Sequence, residues 1–272
     1  MAKLSAFADE VGPELDLQIA ELKKNGVGNI ELRGVWGKNV MKLSDDELGS
    51  VKSQAWDAGI GFSAVGSPLG KVTIDTELQD TIDGVKRAVE VAKIIEAPYI
   101  RMFSFYPPEG EDINAYENKV MDWLNAMAEA ASGSGVKLAH ENEARIFGEG
   151  ADHCAKIHER VPKIVGVFDP SNYVVAGEDC WDCWQKVGKY IEYFHIKDFS
   201  REKKSVVPAG QGDGKLAEVL KAAYDDGFDN FLTLEPHLSH AGEMYGRTSP
   251  ELFATAVSAL KKVLAEIGRE GD

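Results

Sequence analysis

Four apolar runs in the second half of the chain each stop on groups that can bind a cation or carry a proton. They are LAHENE at 138–143, VFDPSN at 167–172, FHIKD at 194–198 and LTLEPH at 232–237. In an extended strand successive side chains alternate faces. Glu141, Asp169, His195 and Glu235 therefore fall on one side of their strands, and Leu138, Phe168, Phe194 and Leu234 on the other. Where such strands are neighbours, three carboxylates and one imidazole converge. That donor set suits one divalent metal ion, Mn2+ as first choice with Mg2+, Co2+ and Zn2+ as alternatives. Without a cation the three carboxylates would repel each other by something on the order of several kcal/mol at low effective dielectric. The plain alternative is that each acid caps a helix or meets a lysine at the rim. It serves for any one of them and poorly for four consecutive strand ends.

The elements that must position these groups alternate strictly. Short apolar strands are expected at 4–8, 29–32, 61–65, 98–103, 136–141, 164–169, 191–197 and 230–235, each followed by a helix-like segment. Ser44 to Glu47 fits a capping box, and Pro13 and Pro250 stand where a first helical turn tolerates proline. Gly26, Gly59, Gly135 and Gly227 mark helix ends. The stretches 76–97 and 112–134 repeat apolar residues every three to four positions and predict long outer helices. Alternating β and α elements imply a parallel sheet, and eight such units imply a closed (β/α)8 TIM barrel, with an open doubly wound sheet as the rival. No linker or low-complexity segment divides residues 1–272, so the expectation is a single α/β domain.

Composition narrows the partners. The net charge of −15, from 45 acidic against 30 basic residues, opposes binding to the nucleic-acid backbone or to an anionic membrane and favours a small molecule. Hydrophobic residues make up 44% and charged residues 28%, with no apolar run of membrane-spanning length. The opening MAKLSAFADEVGPELD reads as neither signal nor transit peptide, so the cytoplasm is the expected address. Nothing here decides oligomeric state, and a homo-oligomer stays open. Three cysteines argue against a disulfide framework, and the CWDC pair at 180–183 reads as part of a helix rather than a zinc or redox site.

Other groups gather around the same strand ends. Lys197 shares the inward face with His195 and either holds a substrate hydroxyl or anion, or pairs with Asp198. Arg33, Arg101 and Arg201 stand near the ends of the second, fourth and seventh strands, where they either give the mouth a positive element for an acid or phosphate, or form surface ion pairs. His237 reaches toward the mouth, whereas His153, His158 and His240 read as surface residues. GQGDG at 210–214 lacks the preceding strand and downstream acid of a dinucleotide loop and reads as a shaped loop into the next helix.

Over essentially the whole chain, HEN at 140–142, FDPSN at 168–172, HIKD at 195–198, VPAGQGDG at 207–214 and LEPH at 234–237 resemble the sugar phosphate isomerase and epimerase family, which has a xylose-isomerase-like TIM barrel and includes ketose 3-epimerases. The resemblance implies metal ligation by Glu141, Asp169, His195 and Glu235, with Glu141 and Glu235 also acting as the acid/base pair on a carbohydrate substrate. It implies a substrate contact for Arg201, six positions beyond the metal histidine. The chain departs from ketose epimerases at Asn172, where those enzymes often carry a histidine, so substrate orientation and the particular sugar do not carry over. The implied chemistry is proton abstraction from an α-hydroxy carbonyl compound, leading to epimerisation, isomerisation or loss of water from a cyclitol. Two rivals share the barrel. A non-catalytic sugar-binding barrel would not need all four ligands. Endonuclease IV needs further histidines, yet this chain has none before His140 and carries Asn172 where that enzyme supplies a ligand.

Overall fold

The computed structural model describes residues 2–241 and 246–270. Eight parallel strands close into a barrel, each paired with its neighbours in sequence and the first with the last. Numbered along the barrel they are β1 Lys3–Ala6, β2 Asn29–Leu32, β3 Gly61–Val65, β4 Tyr99–Met102, β5 Lys137–Glu141, β6 Val165–Phe168, β7 Ile191–Ile196 and β8 Phe231–Leu234. The helices outside it are α1 Leu15–Asn25, α2 Asp45–Asp57, α3 Leu78–Ile95, α4 Glu117–Ala130, α5 Ala151–Arg160, α6 Pro170–Val175, α7 Cys180–Val187, α8 Leu216–Asp225 and α9 Pro250–Glu266. The closed barrel with its helical shell forms one domain. Among the described residues no helix is long and apolar enough to cross a membrane.

Strand parity divides two cores. Outward residues such as Leu138, Phe168, Phe194 and Leu234 join the helices in the main apolar core. Helix α3 shows how: Val85, Ala88, Val89, Ala92 and Ile95 recur at helical spacing and are buried. The inward residues Ala64, Tyr99, Ala139, Val167, Tyr193 and Phe231 pack into a separate apolar plug. Above it the barrel interior turns polar, beginning with the Ser5 and Ser63 hydroxyls 2.6 Å apart. Chemistry is thereby confined to the carboxyl ends, where a barrel of this type places its sites.

The expected elements stand with local corrections. The Ser44 capping box forms with Glu47, and Pro250 occupies the first turn of α9 behind its Ser249 cap. Pro13 lies before α1, whose cap position is Glu14. The long helix expected over 112–134 is a 3-10 turn, Ile113–Tyr116, that passes into α4. Strands β6 and β8 stop one residue short of Asp169 and Glu235, which stand on the first residues of the outgoing loops. Cys180 donates to the Pro170 carbonyl at 3.2 Å, and burial pushes its thiol up to about 12, the reverse of what a thiolate ligand needs.

Two loop anchors matter for the site. Asp198 does not pair with Lys197. Its carboxylate accepts the backbone N–H groups of Gly210, Gly212 and Gly214 at 2.9, 2.9 and 3.0 Å, pinning the GQGDG loop to the end of β7. At the third loop Gly70 adopts φ +82° where a Cβ would stand 2.1 Å from the Phe103 carbonyl oxygen, a position open only to glycine. That close crossing, bonded by Phe103 N–H to the Leu69 carbonyl and Phe105 N–H to the Gly70 carbonyl, delivers Lys71 to the mouth.

His158 is not a surface residue. It is buried, its Nδ1 lies 3.1 Å from the Ile164 carbonyl, and its ring stacks on Tyr190. Burial holds its pKa down at about 4. The unfolded chain, with an ordinary histidine pKa of about 6.5, therefore takes up the proton first. Stability from this group is complete above pH 6.5 and declines as pH falls toward 4, with a loss of about 2 kcal/mol between pH 7 and pH 5. Urea unfolding at the two pH values should show the wild type losing that increment relative to His158→Gln; equal losses in both proteins would contradict it.

Candidate active site

Four strand ends bring their functional groups to one point. Glu141 is the last residue of β5, Asp169 caps α6, His195 lies on β7, and Glu235 follows β8 with its N–H bonded to the Ile196 carbonyl at 3.2 Å. One ligand atom from each lies within 4.8 Å of the others, and all four residues are buried. Asn142 fixes one corner. Its side-chain amide donates to the Asp169 carbonyl and accepts from the Asp169 N–H, both at 2.9 Å, locking the ends of β5 and β6 together. Asp169 Oδ1 accepts the Asn172 N–H at 2.9 Å, while the buried Oδ2 is ion-paired to the Lys197 ammonium at 2.7 Å. Three buried carboxylates and an imidazole whose ligand atoms lie this close together fit a divalent cation.

The chain's own cations answer these acids. Arg101 pairs with Glu141 at 3.1 Å, Arg33 with Glu235 at 3.2 Å and Asp9 at 2.9 Å, and Lys197 with Glu235 at 3.2 Å. Both guanidinium groups lie against the Phe7 ring, 4.5 and 5.0 Å from its centroid, which holds them apart and in place. Breaking one such buried pair typically costs about 3–5 kcal/mol, because the surviving charge has no water to turn to.

Protonation follows the same contacts. Burial would raise the Glu141 carboxyl, but His195 and Arg101 outweigh it and hold the pKa down at about 2. Glu235 is likewise held well below the usual range against burial, by Lys197, His237 and His195. Burial lifts Asp169 to about 6 despite Lys197. His195, with Glu141 and Glu31 against its two nitrogens, is raised to about 10 although burial opposes its charge. Both glutamates are thus ionised at neutral pH and able to accept a proton.

A cavity of about 290 Å3 opens over the cluster, at the small end for ligand pockets and sized for a molecule like a monosaccharide. Arg33, Arg101, Asn172, Lys197 and His237 line it together with Glu141 and Glu235. Asn172 donates its side-chain amide to the Asn142 carbonyl at 2.9 Å. His237 adopts φ +49°, outside the usual range for a non-glycine residue, with Nε2 3.3 Å from Glu10 and 3.4 Å from Glu235. Arg201 lies apart: it is exposed, does not line the cavity, and donates to the Glu178 carbonyl at 2.5 Å.

Sequence reading passed over several groups. Glu31, fully buried on β2, reaches His195 at 3.2 Å, and the buried Glu10 accepts the Thr248 hydroxyl at 2.6 Å and the His237 N–H at 3.0 Å. Lys71 and Glu143, paired at 2.7 Å, and Arg145 and Tyr106 also line the wall. Glu31 carried a signal, an acid inside the apolar run NIEL on the same parity as Arg33.

A family model described as xylose isomerase-like TIM barrel matches residues 19–263. No curated protein sequence matches the chain. Among solved structures, the IOLI protein with a bound zinc atom shares 20% identity, covering 97% of this chain and 99% of its own, with a TM-score of 0.77. The probable 3-DHS dehydratase AsbF from Bacillus anthracis shares 14% identity over 96% of this chain and 98% of its own at TM-score 0.76. D-Psicose 3-epimerase from Clostridium cellulolyticum H10, solved with D-tagatose, shares 13% over 98% of this chain and 99% of its own at 0.75. At these identities the likeness is one of fold. With the family model spanning nine-tenths of its length and a closed eight-stranded barrel in its structure, the chain belongs to the xylose isomerase-like TIM barrel family.

Proposed function

We propose that the protein is a divalent-metal-dependent isomerase or epimerase that acts on a sugar, a sugar phosphate or a related polyol ketone. One observation carries this reading. Glu141 and Glu235, each ion-paired to its own buried arginine and both reaching His195 Nδ1, at 3.0 and 3.5 Å, form the floor of a single cavity of monosaccharide size. Glu141, Asp169, His195 and Glu235 would hold the ion, with Mn2+ as first choice. Once bound, it would supply Lewis acidity that lowers the pKa of the C–H between two substrate oxygens.

The chain's residues do the rest. One glutamate, ionised before substrate arrives, takes the proton from that carbon. The other, once it has taken a proton from solvent, returns it to the opposite face for epimerisation or to the neighbouring carbon for isomerisation, and the first glutamate releases its proton back to solvent. Arg33 and Arg101 keep both carboxylates oriented through the exchange. Asn172, Lys197 and His237 offer polar contacts to substrate hydroxyls from the cavity wall. Loss of water from a cyclitol ketone begins with the same proton removal, and AsbF, of the same fold, is described as a probable dehydratase. The product separates the two reactions.

Two experiments test this reading. Incubation in D2O with Mn2+ across a panel of ketoses, sugar phosphates and cyclitol ketones should place deuterium on the carbon beside the carbonyl of one class. Glu141→Gln and Glu235→Gln should each slow that exchange by about 100- to 10,000-fold; undiminished exchange in both would remove the acid/base assignment. Binding should also be visible in the fold. At an ion concentration near 100 times its Kd the linkage is about 2.7 kcal/mol, and the melting transition should rise by about 5–10 °C. Asp169→Asn should abolish the shift, and an equal shift in that variant would place the ion elsewhere.

A further inference from the structure

Glu31 is a buried charged group that the proposed chemistry leaves unused, and it is aimed at the histidine of the candidate centre. It stands on β2, fully buried, with Oε2 3.2 Å from His195 Nε2. Its other oxygen accepts the hydroxyl of Tyr193, two residues before His195, at 3.3 Å. On the opposite edge of the imidazole, Nδ1 looks toward Glu141 Oε1 at 3.0 Å and Glu235 Oε2 at 3.5 Å. The Phe7 and Tyr193 rings meet the imidazole edge-on, 5.1 and 5.6 Å away, and confine its tilt. The two nitrogens therefore face different partners.

An imidazole that ligates through one nitrogen carries its proton on the other, and a carboxylate can only accept. We propose that Glu31 is a positioning residue that accepts the His195 Nε2–H, so that the Nδ1 lone pair is the one presented to a cation among Glu141, Asp169 and Glu235. Glu31 touches neither ion nor substrate in this arrangement; it sets the tautomer and the angle of the ligand that does. Tyr193 in turn holds Glu31. An amide at position 31 could turn its NH2 toward Nε2 and favour the opposite tautomer, so the carboxylate matters as well as the shape. The inference rests on the reading of the four-residue cluster as a metal site.

The test uses the full chain and reads binding and tautomer directly. Mn2+ affinity is measured by titration calorimetry, and long-range 15N–1H correlation on 15N-histidine protein loaded with diamagnetic Zn2+ reports which ring nitrogen of His195 bears the proton. In the wild type Nε2 should be protonated. Glu31→Leu should weaken Mn2+ binding by about 10- to 100-fold, as loss of an orienting partner does elsewhere, with turnover recovering at saturating Mn2+. Glu31→Gln should fall between the two, with a mixed tautomer signal, and Tyr193→Phe should stay within about threefold of the wild type in affinity. A folded Glu31→Leu that binds within threefold of the wild type with Nε2 still protonated overturns the proposal. If that variant does not fold, the wild-type spectrum decides, and a His195 protonated on Nδ1 in the Zn2+ form overturns it. Binding lost in Asp169→Asn but intact in Glu31→Leu removes only the role of Glu31, whereas a wild type that binds no ion, or an Asp169→Asn variant that binds as well as wild type, removes the metal reading itself.

Discussion

The structure turns on the concentration of negative charge inside the barrel mouth. Glu31, Glu141, Asp169 and Glu235 are all almost completely buried, in a chain whose overall charge is already −15. Such a group of acids is tolerable only with compensating cations at close range, because an uncompensated buried carboxylate costs several kcal/mol in lost hydration. Arg33, Arg101 and Lys197 provide that compensation, and His195 bridges the acids from the centre. Each of these contacts joins residues from different strands, so the charge balance cannot form until the barrel has closed.

The same balance shapes the chemistry. Because His195 and Arg101 hold Glu141, and Lys197, His237 and His195 hold Glu235, ionised against the effect of burial, both carboxylates are available at neutral pH as proton acceptors. Asp169 is different, since burial outweighs the Lys197 ammonium against its Oδ2 and lifts its pKa. Lys197 stands against that oxygen and against Glu235, the edges a bound cation would share, so the ammonium and an ion would compete for the same two carboxylates.

Precision comes from groups one step removed from the cluster. Asn142 clips the ends of β5 and β6 through both hydrogen bonds of one amide, Asp198 gathers three glycine amides of the following loop, and the glycine at 70 lets the third loop cross β4 closely enough to deliver Lys71. These contacts are mostly to backbone. They fix the distances between strand ends that side-chain ion pairs alone would leave loose, and a small cavity lined mostly by charged and polar groups needs that precision.

Alternation of apolar strands and amphipathic helices, with parity inside each strand, was enough to read a closed eight-stranded barrel and to put Glu141, Asp169, His195 and Glu235 on its inner face. Those are local properties of a chain whose side chains repeat every two or 3.6 residues. The partners of those groups are not local. Arg33 meets Glu235 across 202 positions and His195 meets Glu31 across 164, and nothing in either segment encodes the other's approach. His158 read as a surface residue because its helix is polar, yet the face it occupies is the buried one. Lys197 beside Asp198 looked like a neighbouring pair, but adjacent strand residues point to opposite faces, and Asp198 went to the glycine loop. Arg201, placed by analogy near substrate, turned to the Glu178 carbonyl instead. Sequence by itself determined which residues face inward and at which end of the barrel. Only the tertiary structure decided which of them touch, because barrel closure sets the distances that choose between competing charge partners.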